Sequence, residues 1–344
     1  MTIQDTPERL TLEGVRASIK QRIEREHLEA AEMAERRYRY VRPLTSAAEG
    51  LLDYMSNEEG RFMTGIHELD VMTRGFGRGE LVMVTGRAHS GKTQIVLNSI
   101  VNNPNKRCIL FTPDEVSELV LSKLVSIRHG INAEIVEKRV KAGDQEVIDL
   151  VKRAASHDFR NLIVIDDSLT LRQCTDALQE ARDYWGEDAD MVAFDYLELL
   201  PGDDGADGVV AKAQAVKRWT KNANVPVLCL HQASRSSGAR GQAAGMSAMR
   251  FGGESEAIFV IEAFRKREDD SMDDFERRRH TNTLSINLAK NKRPPSKVGM
   301  FDVFLDPATG SIRALQAEDM VVAGLPITRL EDAITAANNI QAGF

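Results

Sequence analysis

Residues 85–94 read TGRAHSGKTQ. From Gly86 to Thr93 this run matches G-x-x-x-x-G-K-[ST] in full, through Arg87, Ala88, His89, Ser90, Gly91 and Lys92. The apolar run LVMVT (81–85) stands directly before it and TQIVLNSIVN (93–102) follows, so the spacing predicts strand, loop and helix in that order. A chance match in a glycine-rich turn would need neither flank. In this setting the loop wraps its N–H groups around a phosphate at the positive end of the helix. Lys92 is then expected to bridge the β- and γ-phosphates of ATP, and the Thr93 hydroxyl to ligate Mg²⁺.

Working outward from the loop, apolar runs of strand length alternate with helical stretches. The strand candidates are 81–86, 107–112, 161–167, 191–200, 225–232, 256–264, 284–290 and 300–305; the helical ones are 93–102, 116–129, 145–156, 171–184 and 209–222. Continuous apolar runs indicate strands buried on both faces, hence an α/β fold with a mostly parallel sheet flanked by helices. The last two runs are closely spaced and fit antiparallel edge strands. Ahead of them, residues 8–40 carry apolar residues at three- and four-residue steps, Pro43 breaks that pattern, and 44–56 suit a second short helix. A final amphipathic stretch spans 327–341. The expected division is a helical N-terminal and linker region (1–60), an ATPase domain (61–315) and a helical tail (316–344).

The chain has 344 residues, 42% hydrophobic and 28% charged, with a net charge of −7. It is not a basic protein overall, so any polyanion must be gripped by a local patch. Cys108, Cys174 and Cys229 are scattered without metal spacing and read as buried free thiols. With neither an N-terminal signal segment nor an apolar run near ~18 residues, the expected location is the cytoplasm, with no membrane contact. Residues 262–280 (EAFRKREDDSMDDFERRRH) are so mixed in charge that a solvated excursion between strands is expected.

A triphosphate site that hydrolyses its ligand needs a second carboxylate for the metal's water shell and a group to orient the attacking water. The run MVAFD (191–195) ends in Asp195 at a strand C-terminus, the place for the metal-side carboxylate. The run ILFTPDEV (109–116) offers Asp114 and Glu115 for the water, and spacing alone does not choose between them.

From about Thr64 to Leu315 these pieces resemble, in order, the RecA-like motor domain of DnaB-type replicative helicases (superfamily four). The stretch TGIHELDVMTRGFGRGELVMVTGRAHSGKT resembles the opening of that domain, with its threonine-glycine, leucine-aspartate, glycine-bounded turn and phosphate loop. FTPDEV is similar to the family's phenylalanine-serine-leucine-glutamate-methionine motif, and DYLELL (195–200) to aspartate-tyrosine-leucine-glutamine-leucine. KRWTKNANVPVLCLHQASR (217–235) matches a helix and a strand ending in serine-glutamine-x-x-arginine, and LAKNKRPP (288–295) a basic motif near the domain's end.

The resemblance implies a ring, expected to be a hexamer, with ATP between neighbouring subunits and single-stranded DNA through the centre. It implies that Gln232 senses the γ-phosphate and relays nucleotide state to the loop after it. That loop, SRSSGARGQAAGMSAMRFGG (234–253), carries Arg235, Arg240 and Arg250 among small residues and no acid, as a grip on a phosphate backbone requires. The family's catalytic glutamate falls on Asp114 in ungapped register, with Glu115 one residue on. The family's trans-acting lysine-x-arginine falls on Lys290 and Lys292, with Arg293 one step late; lysine lacks arginine's bidentate fork. The acidic turn PGDDGADG (201–208) would repel phosphate and is left out of the DNA site. LTSAAEGLLDYM resembles the helix that docks on a neighbouring subunit. The short N-terminal region leaves a primase or loader contact open and suits a phage-like helicase. Two alternatives share the core: a RecA- or RadA-like recombinase forming filaments on single-stranded DNA, and a nucleotide-gated loader with little hydrolysis.

Overall fold

The computed structural model describes residues 20–23, 25, 44, 46–56, 60–202, 205–232, 240–243 and 256–321. The chain divides into two compact units, residues 1–58 and 59–344. In the first, residues 20–23 and 25 are helical, and the rest of the stretch 8–40 lies outside the described residues. Helix α1 (Ser46–Ser56) forms where residues 44–56 predict it and exposes Leu51, Leu52 and Met55. The expected tail helix over 327–341 also lies outside the described residues.

The second unit is built on a sheet of β1 (Leu81–Gly86), β2 (Cys108–Phe111), β3 (Leu162–Ile165), β4 (Met191–Phe194), β5 (Val227–Gln232), β6 (Phe259–Phe264), β7 (Thr283–Asn291), β8 (Gly299–Leu305) and β9 (Ile312–Ala314). Its spatial order is β3-β2-β4-β5-β1-β6-β7-β8-β9. The first six strands of that order run parallel and the last three are antiparallel. The helices are α2 (His67–Thr73), α3 (Lys92–Val101), α4 (Ser117–His129), α5 (Ala133–Lys141), α6 (Gln145–Arg153), α7 (Leu171–Trp185), α8 (Ala206–Ala223) and α9 (Asp274–Arg279).

The unbroken apolar runs have a simple cause. Val82 and Val84 of β1 point into a core shared with Ile95 and Leu97 of α3 and Leu124 of α4. Their neighbours Leu81 and Met83 point into a second core with Cys174 of α7 and Val216 and Trp219 of α8. Each side chain buried this way contributes roughly 1.5–3 kcal/mol, so neither face tolerates polar alternation. All three cysteines are buried free thiols, as expected, and burial pushes the Cys174 thiol up to about 12, away from reactivity.

Beyond β6 the logic changes. Leu284, Ile286 and Leu288 of β7 face the core, while Ser285 donates to Asp302 at 2.7 Å and Asn287 to Glu262 at 2.7 Å. One face is apolar and the other is a polar network, the pattern of an antiparallel sheet covered on one side. The excursion expected over 262–280 is shorter than that. Glu262, Ala263 and Phe264 complete the buried β6, and only 265–280 leave the sheet, through a short 3₁₀ turn and α9. Strand β9 and helices α2 and α5 have no counterpart in the sequence reading. The first is three residues long, and α5 buries only Val136, so the apolar periodicity that betrays a helix is missing.

Candidate functional site

The threonine-glycine and leucine-aspartate pieces before β1 are explained by one carboxylate. Asp70 accepts from the Thr64 amide and hydroxyl at 2.7 and 2.8 Å and from the Gly65 amide at 2.7 Å. Asn102, just after α3, donates to the Thr64 carbonyl at 3.1 Å. The turn that precedes the sheet is thus tied to the helix that leaves the phosphate loop.

The loop spans the end of β1 and the start of α3. Gly91 sits at the helix N-cap with φ 103°, a left-handed backbone that favours glycine. A Cβ on Gly86 would lie 2.4 Å from both the Ala263 carbonyl and the Ser90 hydroxyl, so the loop closes only because residue 86 has none. Ala88 and His89 form the exposed crest, Arg87 is half-buried and Ser90 is buried. Lys92 is 8% exposed, and its Nζ donates to the carbonyls of Gly86 at 3.0 Å and Arg87 at 2.8 Å. Burial lowers its pKa, opposed by the charges of Asp195 and Glu198.

The strand order brings the remaining groups to the same edge. Asp195 follows β4, and its Oδ2 accepts from the Thr93 hydroxyl at 2.9 Å. Burial raises the Asp195 pKa; the Thr93 hydrogen bond and Lys92 oppose the rise. Gln232 ends β5 in register with Gly86, which sets it beside the phosphate loop. Past β2, Asp114 is exposed, whereas Glu115 is half-buried, ion-paired with Lys123, and within electrostatic reach of Asp195. Of the two acids, Glu115 is the less exposed and the one whose charge acts on Asp195.

The set fits ATP and Mg²⁺ on its donor chemistry: a glycine-capped helix N-terminus, a buried lysine resting on exchangeable carbonyls, and a hydroxyl joined to a half-buried carboxylate.

Residues 62–305 match the family model described as DnaB-like helicase C terminal domain. The chain belongs to this family. It is 27% identical to the replicative DNA helicase DnaB of Geobacillus stearothermophilus over 258 residues, 71% of this chain and 55% of that one. It is 32% identical to the DnaB of Nostoc sp. over 186 residues, 51% of this chain and 21% of that one. The chain therefore spans about half or less of the length of these relatives. Among solved structures it is similar to a DnaB-like replicative helicase described with its interactions with primase, with a TM-score of 0.66 at 19% identity over 80% of this chain and 68% of that one. A second solved structure, an isolated ATPase domain, gives a TM-score of 0.65 at 20% identity, over 80% and 99% of the two chains. Both likenesses establish the RecA-like fold expected from the motifs.

Within this DnaB-like domain the basic motif divides into two parts. Lys290, next to last in β7, is half-buried and Lys292 is exposed. Arg293 is engaged inside the domain. Its guanidinium donates to the carbonyls of Thr73 and, at 2.9 Å, Gly75, pairs with Glu80, and lies 5.0 Å from the Phe259 ring centroid. Its side chain is 10% exposed, and these contacts all lie within its own domain. Partners more than 200 positions away along the chain are not revealed by sequence spacing.

Arg235 and Arg250 of the arginine-bearing loop lie outside the described residues; Arg240 is exposed. Next to it, Gly241 packs so tightly that a Cβ would lie 2.3 Å from the Asp269 amide nitrogen, and Gln242 donates to Asp269 at 2.9 Å. The charged excursion therefore anchors part of the loop. A small cleft of about 30 Å³ beside the phosphate loop is lined by Gly86, Ser90, Gly241, Gln242, Glu262 and Arg265, so the two loops share a boundary. Of the acidic turn 201–208, residues 203 and 204 lie outside the described residues.

Two residues with no assigned role in the sequence reading belong to the site. Nδ1 of His231 lies 2.9 Å from Oε1 of Glu198, and the same oxygen accepts from the Gln232 amide at 3.0 Å. Burial alone would raise the Glu198 pKa, but His231 and the backbone amides outweigh it and hold the carboxyl below its ordinary range. Both residues sit inside quoted motifs, DYLELL and HQASR; the motifs carried the signal, and only the contact assigns it. No described helix is long and apolar enough to cross a membrane.

Proposed function

We propose that this chain is an ATP-driven DNA helicase of the DnaB type, working as a homo-oligomeric ring, expected to be hexameric, on single-stranded DNA during replication. The observation that carries the reading is the Thr93–Asp195 hydrogen bond beside the buried Lys92, at the carboxyl edge of a parallel sheet in a DnaB-family domain. Lys92 holds the β- and γ-phosphates, and the amides of Gly86 to Thr93 cradle them. Thr93 and Asp195 would hold Mg²⁺, which when bound would supply charge neutralisation at the phosphates. Glu115 orients the attacking water, with Asp114 as the exposed neighbour; Gln232 meets the γ-phosphate; Lys290 and Lys292 reach the site of the next subunit. Arg235, Arg240 and Arg250 grip the DNA backbone. The exposed apolar face of α1, with Leu51, Leu52 and Met55, suits docking on a neighbouring copy. A primase or loader is the expected further partner, and the cytoplasm the expected location. Family membership supports this reading over a filament-forming recombinase.

The test is unwinding of a forked duplex by the full chain with ATP and Mg²⁺, alongside ATP turnover with and without single-stranded DNA. Expected are DNA-stimulated turnover and strand separation, both abolished in Lys92→Ala. Undiminished turnover in that variant would remove the phosphate loop from the chemistry, and indifference to DNA would remove the motor.

A further inference from the structure

We propose that Glu198 and His231 form a positioning pair that sets the backbone of Gln232, and with it the contact between nucleotide and DNA loop. The pair's role rests on the reading of this edge as an ATPase site. Strand β5 is flanked by β1 along its whole length, up to Gly86 opposite Gln232. On its other side β4 runs out early, its last pairing being Phe194 with Cys229. Beyond that point the β4 side of β5 has no strand to bond, yet the chain must hold Gln232 steady at the nucleotide edge.

A side chain takes the strand's place. After Asp195 the chain turns into a short 3₁₀ helix, Leu197–Leu199, which brings Glu198 back alongside β5. Its Oε1 accepts the Gln232 amide at 3.0 Å, as a strand carbonyl would. His231, fully buried one residue earlier and in register with Thr85 of β1, approaches the same oxygen at 2.9 Å. From the other side the Glu198 carbonyl accepts from the buried Lys212 of α8 at 3.0 Å, which holds the turn down. With the turn held by Lys212 and His231 lying against the carboxylate, Glu198 fixes in turn the amide of Gln232, the last residue of β5.

The identities of the two residues point the same way. In the motifs that this chain resembles, glutamine stands where Glu198 is and serine where His231 is. A buried carboxylate without a donor is expensive, and the imidazole supplied at the second position answers that cost. Two departures from one pattern meet at a single oxygen. Glu198 also lies within electrostatic reach of Lys92, and the hydrogen bond by which it acts on the site is to the Gln232 amide.

Steady-state ATP turnover of the full chain with single-stranded DNA tests the pair, with thermal melting as the check on folding. Glu198→Ala is expected to lower kcat about tenfold, the scale typical of groups that orient a site residue, with KM for ATP within about twofold. Glu198→Gln keeps the acceptor oxygen and should return kcat to within about threefold of the parent. His231→Ala should also lower kcat, and the double alanine variant should be no slower than Glu198→Ala, because the two act as one unit. Parental kcat in Glu198→Ala, failure of glutamine to rescue, or losses that multiply in the double variant would each overturn the proposal. If Glu198→Ala does not fold, His231→Ala carries the test, and parental turnover in it overturns the pair. Undiminished activity in Lys92→Ala would instead sink the ATPase reading beneath it, so the two failures are distinguishable.

Discussion

Lys92 and Arg293 are both largely buried cations, and the fold holds them in opposite ways. The Lys92 ammonium rests on the carbonyls of Gly86 and Arg87, partners supplied by its own loop. Arg293 ties three separate places together: the end of α2 at Thr73 and Gly75, Glu80 before β1, and the Phe259 ring on β6. A compact ammonium on loop carbonyls can trade them for phosphate oxygens, since both are acceptors of similar reach. A planar fork engaged by carbonyls, a carboxylate and an aromatic face has no such freedom. The difference teaches that a cation's position in a motif does not reveal its work. What it is already bonded to does.

The largest effect should come from Arg293. Arg293→Ala leaves the largely buried Glu80 carboxylate without its charge partner, and a loss of about 3–5 kcal/mol in folding stability is expected, with ATP turnover per folded molecule retained. Denaturant unfolding beside turnover measures both; a stable variant with lost turnover would break the comparison and restore Arg293 as a reacting group. Next comes the choice between the paired acids. Glu115→Gln is expected to lower kcat about a hundredfold and Asp114→Asn to leave it within about twofold; the reverse result would return the role to the exposed acid. Lys292→Ala should be milder, about tenfold in turnover, because a lysine point charge stabilises less than an arginine fork. That loss should be absent at dilutions where the chain is monomeric, and a loss persisting there would make the effect an internal one. Smallest is Arg240→Ala: one phosphate contact fewer, lowering the slope of log affinity for single-stranded DNA against log salt by about one. An unchanged slope would take Arg240 out of the interface.

How far the sequence can be read follows from where the apolar pattern is unambiguous. The runs behind β1, β2, β4 and β5 are buried on both faces, and each marks its strand to within a residue or two, except that the 191–200 run ends as strand at Phe194. The loop between Gly86 and Thr93 is legible because its glycines answer local backbone demands, at Gly91 a left-handed φ and at Gly86 a contact that excludes a Cβ. Residues 262–264 fall both in the strand reading 256–264 and in the excursion 262–280, and the structure keeps them in the strand, with Glu262 buried beside the Asn287 amide of the neighbouring strand. The partners of Arg293 are not legible in sequence, since Thr73 and Glu80 lie more than 200 positions away along the chain.

Taken alone, the sequence determined the α/β class, the strand-loop-helix around the phosphate cradle, and the order of motifs that marks the family. Those features depend on local spacing, on apolar period and on the backbone freedom of glycine. The tertiary structure decided which of the charged residues share a site: that Thr93 meets Asp195, that Glu115 is less exposed than Asp114, that Arg293 pairs with Glu80, and that Glu198 and His231 meet at one oxygen. Charge and hydrogen bonding act over a few ångströms in space without regard to distance along the chain, so these pairings exist only once the sheet has set its order.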